Sequence, residues 1–405
     1  MLKSTLEIYG KYDQESKRHC AELAKKTLEP LGISSILISH DKIAWLGKDF
    51  PAEKTLPDLE IIDAAGKIMI PGIVDGHVHV TGGGGEGGFA TRTPELALSD
   101  MIKGGVTTVI GLLGTDDVTR SAGALIAKTN AIRAEGMSAW AMTGSYQLPV
   151  KSLCGGVRDD IALIEPFIGV GEVALSDHRS SQPTFEEFMR LAAAARVGGM
   201  LSGKAGVVNV HLGDAPSGLD YLFRAAKTEI PPSQFIPTHM NRNPELFKEA
   251  CRYGAMGGYV DLTTSTTPQF LDEGEVECGR ALSELLAAGV PARRISFSSD
   301  GQGSMPFFDE AGDFAGLTIG RVTSIFETFR STVKNYDILF EDAVRVVSTT
   351  AADHCKLSGK GHIKEGCDAD LILMDAGSLE LDTLFARGRK MMSGGRPLVK
   401  GTFEQ

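Results

Sequence analysis

No two of the six cysteines, at 20, 154, 251, 278, 355 and 367, form a CxxC pair, and they make no short-range framework. This speaks against a secreted disulfide scaffold and suits reduced thiols in a cytoplasmic setting. Long hydrophobic runs are also missing. The opening stretch, MLKSTLEIYGKYDQESKRHC, lacks the apolar core of a signal peptide, and no segment approaches the roughly 18 apolar residues of a membrane span. Nor is there an excess of positive charge: Lys and Arg number 41 against 52 Asp and Glu, a net charge of −11. General binding to nucleic acid or to an anionic membrane needs a basic face, so neither is expected as a partner. A local cationic pocket for a small anion stays open. Internal repeats and low-complexity linkers are absent too.

What remains is ordinary core-forming material. The 405 residues are 42% hydrophobic and 23% charged, enough for one large domain with an appendage or for two domains. Residues 14–32 read as a short amphipathic helix closed by Gly32, and ISSILISHDKIAWLG (33–47) reads as a hairpin. Near the other end, DADLILMD (368–375) and GRKMMSGGRPLVKGTF (388–403) are strand-like. Strand-rich segments at both termini, with no helical partners of their own, suggest one small β-rich unit of sandwich type built from 1–68 and 359–405.

Between them, over 69–358, apolar β-runs alternate with helical patterns. The run IMIPGIVDGHVHV is followed by a helix expected over TRTPELALSDMIKGG, then by VTTVIGLLG, MSAWAMTGSY and FIGVGEVALSD. After the Ala-rich TFEEFMRLAAAARVGG come VVNVHLGD, FIPTHMNRN, GGYVDLTTS and RISFSSDG. About eight βα units of this kind fit an α/β fold, a (β/α)8 TIM barrel, which takes roughly 250 residues.

In such a barrel the carboxyl ends of the strands build the active site. His77 and His79 are two apart on a strand, so both imidazoles face one side. An HxH pair alone is as often chance as chemistry. Here, however, His211, His239 and Asp300 also stand at strand ends, and five such groups are hard to read as satisfied core residues. Neutral imidazole is a common zinc ligand. His19, His40, His354 and His362 suit surface roles, His178 a supporting one, and Lys151 and Lys204 solvated surface.

The stretch DGHVHVTGGGGEGG (75–88) contains GxGxxG matches but lacks the Lys-Ser/Thr of a phosphate loop, and no helix opens directly after it. Its glycines make a floor that lets a substrate backbone come close.

PGIVDGHVHV, with the later single His, His and Asp, resembles the amidohydrolase superfamily of metal-dependent hydrolases. More narrowly, GHVHVTGGGGEGG, TRTPE, GVTTVIGLLGTD, TGSYQLP, SDHRS, PTHMNRN, SSDGQGS and the tail ARGRKMMSGGRPLVKGTFE are similar to the isoaspartyl dipeptidase family. That resemblance implies a binuclear zinc site hydrolysing β-aspartyl dipeptides by a metal-bridging hydroxide. His77 and His79 would bind one zinc with Asp300, which would also shuttle the proton to the leaving amine. His211 and His239 would bind the second. Glu86 would hold the substrate's α-amino group, and Arg179, Arg242 and Ser304 its carboxylates, the two arginines not apportioned between them. Tyr146, on a mobile loop, would bond the carbonyl oxygen, and Thr115 would add a contact. The family also implies a homo-oligomer, often an octamer.

One lack cuts across the resemblance. The family bridges its metals with a carboxylated lysine just before SDHRS, but no lysine lies between Asp159 and Arg190. Glu172 stands in its place, with one extra residue, Gly171, ahead of it. A glutamate offers the same two oxygens on a shorter stem, and an inserted glycine suits a bulge that re-aims a side chain. Glu172 is therefore the candidate bridge, against a rival with one metal or a weakened site. Cyclic amidases of the dihydroorotase or hydantoinase kind and deaminases share the ligand set. Some superfamily relatives act instead as non-catalytic oligomeric scaffolds.

Overall fold

The computed structural model describes residues 2–3, 35–48, 59–308 and 314–404. The helix expected over 14–32 lies outside them. Strands are labelled in chain order, starting with β1 (Leu2–Lys3), β2 (Ser35–Ser39), β3 (Lys42–Gly47), β4 (Ile62–Asp63) and β5 (Lys67–Pro71). Eight barrel strands follow: β6 (Ile73–Val78), β7 (Val106–Gly111), β8 (Ser138–Thr143), β9 (Phe167–Leu175), β10 (Val207–Leu212), β11 (Phe235–Thr238), β12 (Val260–Thr263) and β13 (Ile295–Ser298).

The barrel strands are parallel. β6 to β11 pair in sequence order, and β12 pairs with β13. Two seams complete the ring. Between β11 and β12, Met240 N–H donates to Asp261 O at 3.1 Å. Between β13 and β6, His79 N–H donates to Gly301 O at 2.9 Å, and Ser299 N–H donates to the Asp75 carboxylate at 3.1 Å. Strands such as VTTVIG and VVNVHL are buried at every position, as sheets covered on both faces require. The fold is the (β/α)8 barrel that the alternation of patterns predicts.

Helices pack outside the ring, and their ends are chemically marked. Thr184 and Glu187 form a capping box at the start of Phe185–Ser202, and Gly203 closes that helix at φ 72°. Asn243 caps Pro244–Ala255 by accepting from Leu246 N–H at 2.9 Å, with Pro244 at the first position. One expected helix is shorter than TRTPELALSDMIKGG suggests, covering only Leu98–Lys103. The residues before it bond elsewhere: Thr93 N–H donates to Gly83 O and Leu96 N–H to Val80 O, at 3.0 and 3.1 Å. Those donors are committed to Gly83 and Val80, in and just before the glycine run, and Pro94 has none to give.

After β13 comes an antiparallel hairpin, β14 (Ser304–Phe308) and β15 (Phe314–Ile319). The chain ends with β16 (Leu371–Asp375), β17 (Leu381–Ala386), β18 (Arg389–Ser393) and β19 (Arg396–Pro397). These four strands and β5 form one antiparallel sheet, and β1 to β4 form a second, mixed sheet in which β1 and β4 run parallel. Ile36 and Ile43 of the second share a core with Leu371, Leu373 and Phe385 of the first. Lys360, 2% exposed, fastens the terminal sheet to the barrel. Its ammonium bonds Asp370 at 2.7 Å and also reaches Asp368 and the Ser138 hydroxyl at the start of β8. Among the described residues no helix is long and apolar enough to cross a membrane.

Candidate active site

Alternation along β6 directs Asp75 and His77 inward, and His79 follows just past the strand end. Asp75 is fully buried and accepts from Ser299 N–H, Ser299 Oγ–H and His77 N–H. It therefore locks the strand that carries the histidines against the loop that carries Asp300. His239 and Asp300 follow β11 and β13 with φ of 62° and 51°, a left-handed backbone that L-residues adopt at a cost. Such strain collects at functional sites, where the surroundings over-determine it.

These side chains converge on Glu172. Its Oε1 lies 3.4 Å from His79 Nε2, and its Oε2 lies 3.3 Å from His77 Nε2, 3.2 Å from His211 Nδ1 and 3.7 Å from His239 Nε2. Asp300 Oδ1 is 3.1 Å from His79 Nε2 and 3.6 Å from His77 Nε2. Three groups have donor atoms within 4.8 Å of one another: His77, His79 and Glu172; Glu172, His211 and His239; and His77, His239 and Asp300. Glu172 belongs to the first two, so one carboxylate stands between two pairs of imidazoles.

The local sequence explains how a short side chain reaches that point. On β10, Val208 faces Val170 and Val210 faces Val173, so Gly171 and Glu172 together oppose the single residue Asn209. This is a β-bulge with one extra residue. Gly171 has φ 148°, and a Cβ there would meet Asn209 O at 2.7 Å. Glycine is required for that approach.

The donor set fits a metal. His77 Nδ1 and Nε2, His79 Nδ1 and Asp300 Oδ1 are buried with no hydrogen-bond partner, a costly arrangement unless a cation takes them. Four imidazoles and two carboxylates are nitrogen and oxygen ligands of the kind zinc accepts. Burial opposes ionisation of Glu172, but the His77 charge and the His211 and His239 imidazoles around it outweigh it and hold its carboxyl well below the usual range. Burial pushes the His239 imidazolium down to about 3, which leaves a neutral ring able to ligate.

Above this cluster lies a cavity of about 780 Å³. Glu86, Thr115, Tyr146, Arg179, Arg242 and Ser304 all line it, together with His79, Glu172, His211, His239 and Asp300. Glu86 accepts from Thr115 Oγ–H at 2.9 Å and stands 3.3 Å from Arg179 Nη1. Tyr146, placed on a mobile loop by resemblance, is buried. Its backbone is tied to Gly114 and Ala174, and its hydroxyl lies 2.8 Å from His211 Nδ1. Arg242 lies across the cavity, with Nη1 3.8 Å from Asp214.

Sequence reasoning missed several supporting residues. Asp177, quoted within SDHRS but given no role, bonds Arg179 and His211 and is buried. Burial opposes its ionisation, but those hydrogen bonds win and hold its carboxyl below the usual range. Arg120, 5% exposed, donates to Thr81 O and Thr93 O and pairs with Asp116 at 3.0 Å. It cross-braces the glycine run and the loop that carries Thr115. Elsewhere two surface assignments need correction. His354 packs on Tyr259 with ring centroids 3.3 Å apart, and its Nε2 is enclosed. Lys204 is half-buried, its ammonium capping Ile161 O and Ile164 O at 2.7 Å, because a helix end there leaves carbonyls to satisfy.

Comparison with known proteins agrees with this geometry. The family model described as the amidohydrolase family matches residues 276–397. The β-aspartyl dipeptidase from Fervidobacterium islandicum AW-1, solved in complex with the β-Asp-Leu dipeptide, is 43% identical, with a TM-score of 0.85 over 92% of this chain and 95% of that one. A second structure of a β-aspartyl dipeptidase from that organism is 40% identical, with a TM-score of 0.83 over 92% and 96% of the two chains. An allantoinase from Enterococcus faecalis is 23% identical over 84% of this chain and 83% of its own length.

Proposed function

This chain belongs to the amidohydrolase family, among the β-aspartyl dipeptidases, and from that premise we propose how its residues hydrolyse a β-aspartyl dipeptide. It is a metal-dependent hydrolase, and His77, His79, His211, His239, Glu172 and Asp300 would hold the metal. When bound, a divalent ion supplies a Lewis acid that polarises the scissile carbonyl and lowers the pKa of water.

The observation that carries the substrate reading is the contact of Glu86 with Arg179 at 3.3 Å on the cavity wall. In a β-aspartyl residue the α-ammonium and α-carboxylate hang from one carbon. An acid and a guanidinium side by side can read both, Glu86 taking the ammonium and Arg179 the carboxylate. Arg242, across the cavity, then takes the carboxylate of the leaving residue, with Ser304 beside the glycine run. The Tyr146 hydroxyl is aimed at the floor of the cavity, where it can donate to the carbonyl oxygen as charge develops. Asp300 Oδ1, without a hydrogen-bond donor of its own, receives the proton of the attacking water and returns it to the departing nitrogen.

A cyclic amide such as dihydroorotate carries no ammonium for Glu86 to take. Turnover of β-Asp-Leu, α-Asp-Leu and dihydroorotate by the same preparation tests the reading. β-Asp-Leu alone should be hydrolysed, and preference for dihydroorotate would overturn it.

We further propose that Glu172 bridges two metal ions and needs no carbon dioxide to do so. The position of its carboxylate between two imidazole pairs supports this. Zinc is the metal the ligand set suits best. A cytoplasmic location follows from the cysteine usage, a homo-oligomer of octameric type from the resemblance. The division into 1–68 with 359–405 and 69–358 is likewise our proposal.

A further inference from the structure

Asp177 sits just past β9 and spends both oxygens on two functional residues. Its Oδ1 accepts Arg179 N–H at 2.7 Å and Arg179 Nε–H at 2.9 Å. Its Oδ2 accepts Arg179 Nη2–H at 2.7 Å and His211 Nε2–H at 2.9 Å. Four donors converge on a buried carboxylate, so a planar guanidinium and an imidazole are fixed in one frame.

The consequence for His211 is chemical as well as geometric. A carboxylate can only accept, so when a cation takes the lone pair of Nδ1 the one ring proton sits on Nε2, where Asp177 accepts it. That Nδ1 is the atom 3.2 Å from Glu172 Oε2, on the side where the metal-ligating groups meet. The consequence for Arg179 is orientation. With Nε and Nη2 held by Asp177, Nη1 is the nitrogen left facing Glu86. The Arg179 guanidinium also lies over the Tyr146 ring, with Cζ 5.3 Å from its centroid.

We propose that Asp177 is a positioning residue that couples metal loading to recognition of the aspartyl half of the substrate. The metal side stands on the His211 contact alone. The substrate side rests on the reading of Arg179 given above. A metal ion on Nδ1 favours the tautomer that Asp177 holds, and a carboxylate on Arg179 favours the rotamer it holds. Each ligand therefore organises the anchor of the other.

Asp177→Asn is the discriminating change, because an amide offers one acceptor where four donors need two. Zinc affinity of the protein, measured by chelator competition, should fall by about 10–100-fold, the usual loss when the partner of a ligating histidine is removed. At saturating zinc the KM for β-Asp-Leu should rise at least about 10-fold, on the roughly 1.5–3 kcal/mol of a charged hydrogen bond. Loss of zinc affinity without a KM change, or the reverse, would overturn the coupling, as would wild-type values for both. Should Asp177→Asn fail to fold, Arg179→Lys keeps the charge but loses the fork. The coupling predicts weaker zinc binding there too, and unchanged zinc affinity would contradict it. Wild-type protein inactive on β-Asp-Leu would instead sink the substrate reading, while the zinc comparison still decides the metal side.

Discussion

On the proposed reading, Glu86 is the residue that would separate an amino-dipeptidase from cyclic amidases with the same metal ligands. It touches Thr115 and Arg179 and none of the histidines, so its removal should leave the metal in place. Glu86→Gln keeps the shape and removes the charge. We expect unchanged metal content and a fall in kcat/KM for β-Asp-Leu of about 10–150-fold, from the roughly 1.5–3 kcal/mol of a charged hydrogen bond. Steady-state kinetics beside metal analysis checks this, and undiminished turnover would remove Glu86 from substrate recognition. The residues at strand ends were legible in the sequence because period-two alternation says which face a histidine takes. Asp177 was not, because its partner His211 is 34 residues away and only the fold brings them together.

The element that decides the metal site is β9. One added residue turns a regular strand into a bulge and carries the Glu172 carboxylate to four imidazoles. The sequence hinted at this through a count, one residue too many before SDHRS, and through the glycine that filled it. Gly171→Ala would force a Cβ against Asn209 at a φ that L-residues rarely adopt. It should lower unfolding stability by roughly 1–3 kcal/mol, the cost of such strain, and weaken zinc binding in parallel. Urea unfolding and chelator competition read the two effects, and an alanine variant matching wild type in both would show that the bulge does not aim Glu172. Residues 92–97 were illegible as loop for the opposite reason. Their composition suits a helix, but tertiary bonds from Thr93 to Gly83 and from Leu96 to Val80 claim the backbone first.

At the scale of the whole molecule, the barrel could be read from the alternation of strand and helix patterns, and the β-rich ends from their composition. What joins them could not, since Lys360, Asp368, Asp370 and Ser138 meet only in three dimensions. Burial opposes ionisation of Asp368, yet the Lys360 charge and hydrogen bonds from Lys360 and Lys42 hold its carboxyl below the ordinary value. A depressed carboxyl contributes stability above its unfolded pKa, about 3.9, and loses it as pH falls through the lower folded value. Asp368→Asn should therefore cost roughly 1–3 kcal/mol near pH 7, and the gap to wild type should close below about pH 4. Unfolding measured with chelator present, so that metal loss adds nothing, decides it. A gap independent of pH would contradict the ion-pair account.

The bridging of two metal ions by Glu172, without a carboxylated lysine, is the proposal on which the site rests. Its most direct test is to titrate metal-free protein with zinc in bicarbonate-free buffer while following β-Asp-Leu hydrolysis. Activity should keep rising until two zinc ions are bound per chain, and added bicarbonate should change nothing. Full activity at one zinc per chain, or activation by bicarbonate, would contradict the proposal.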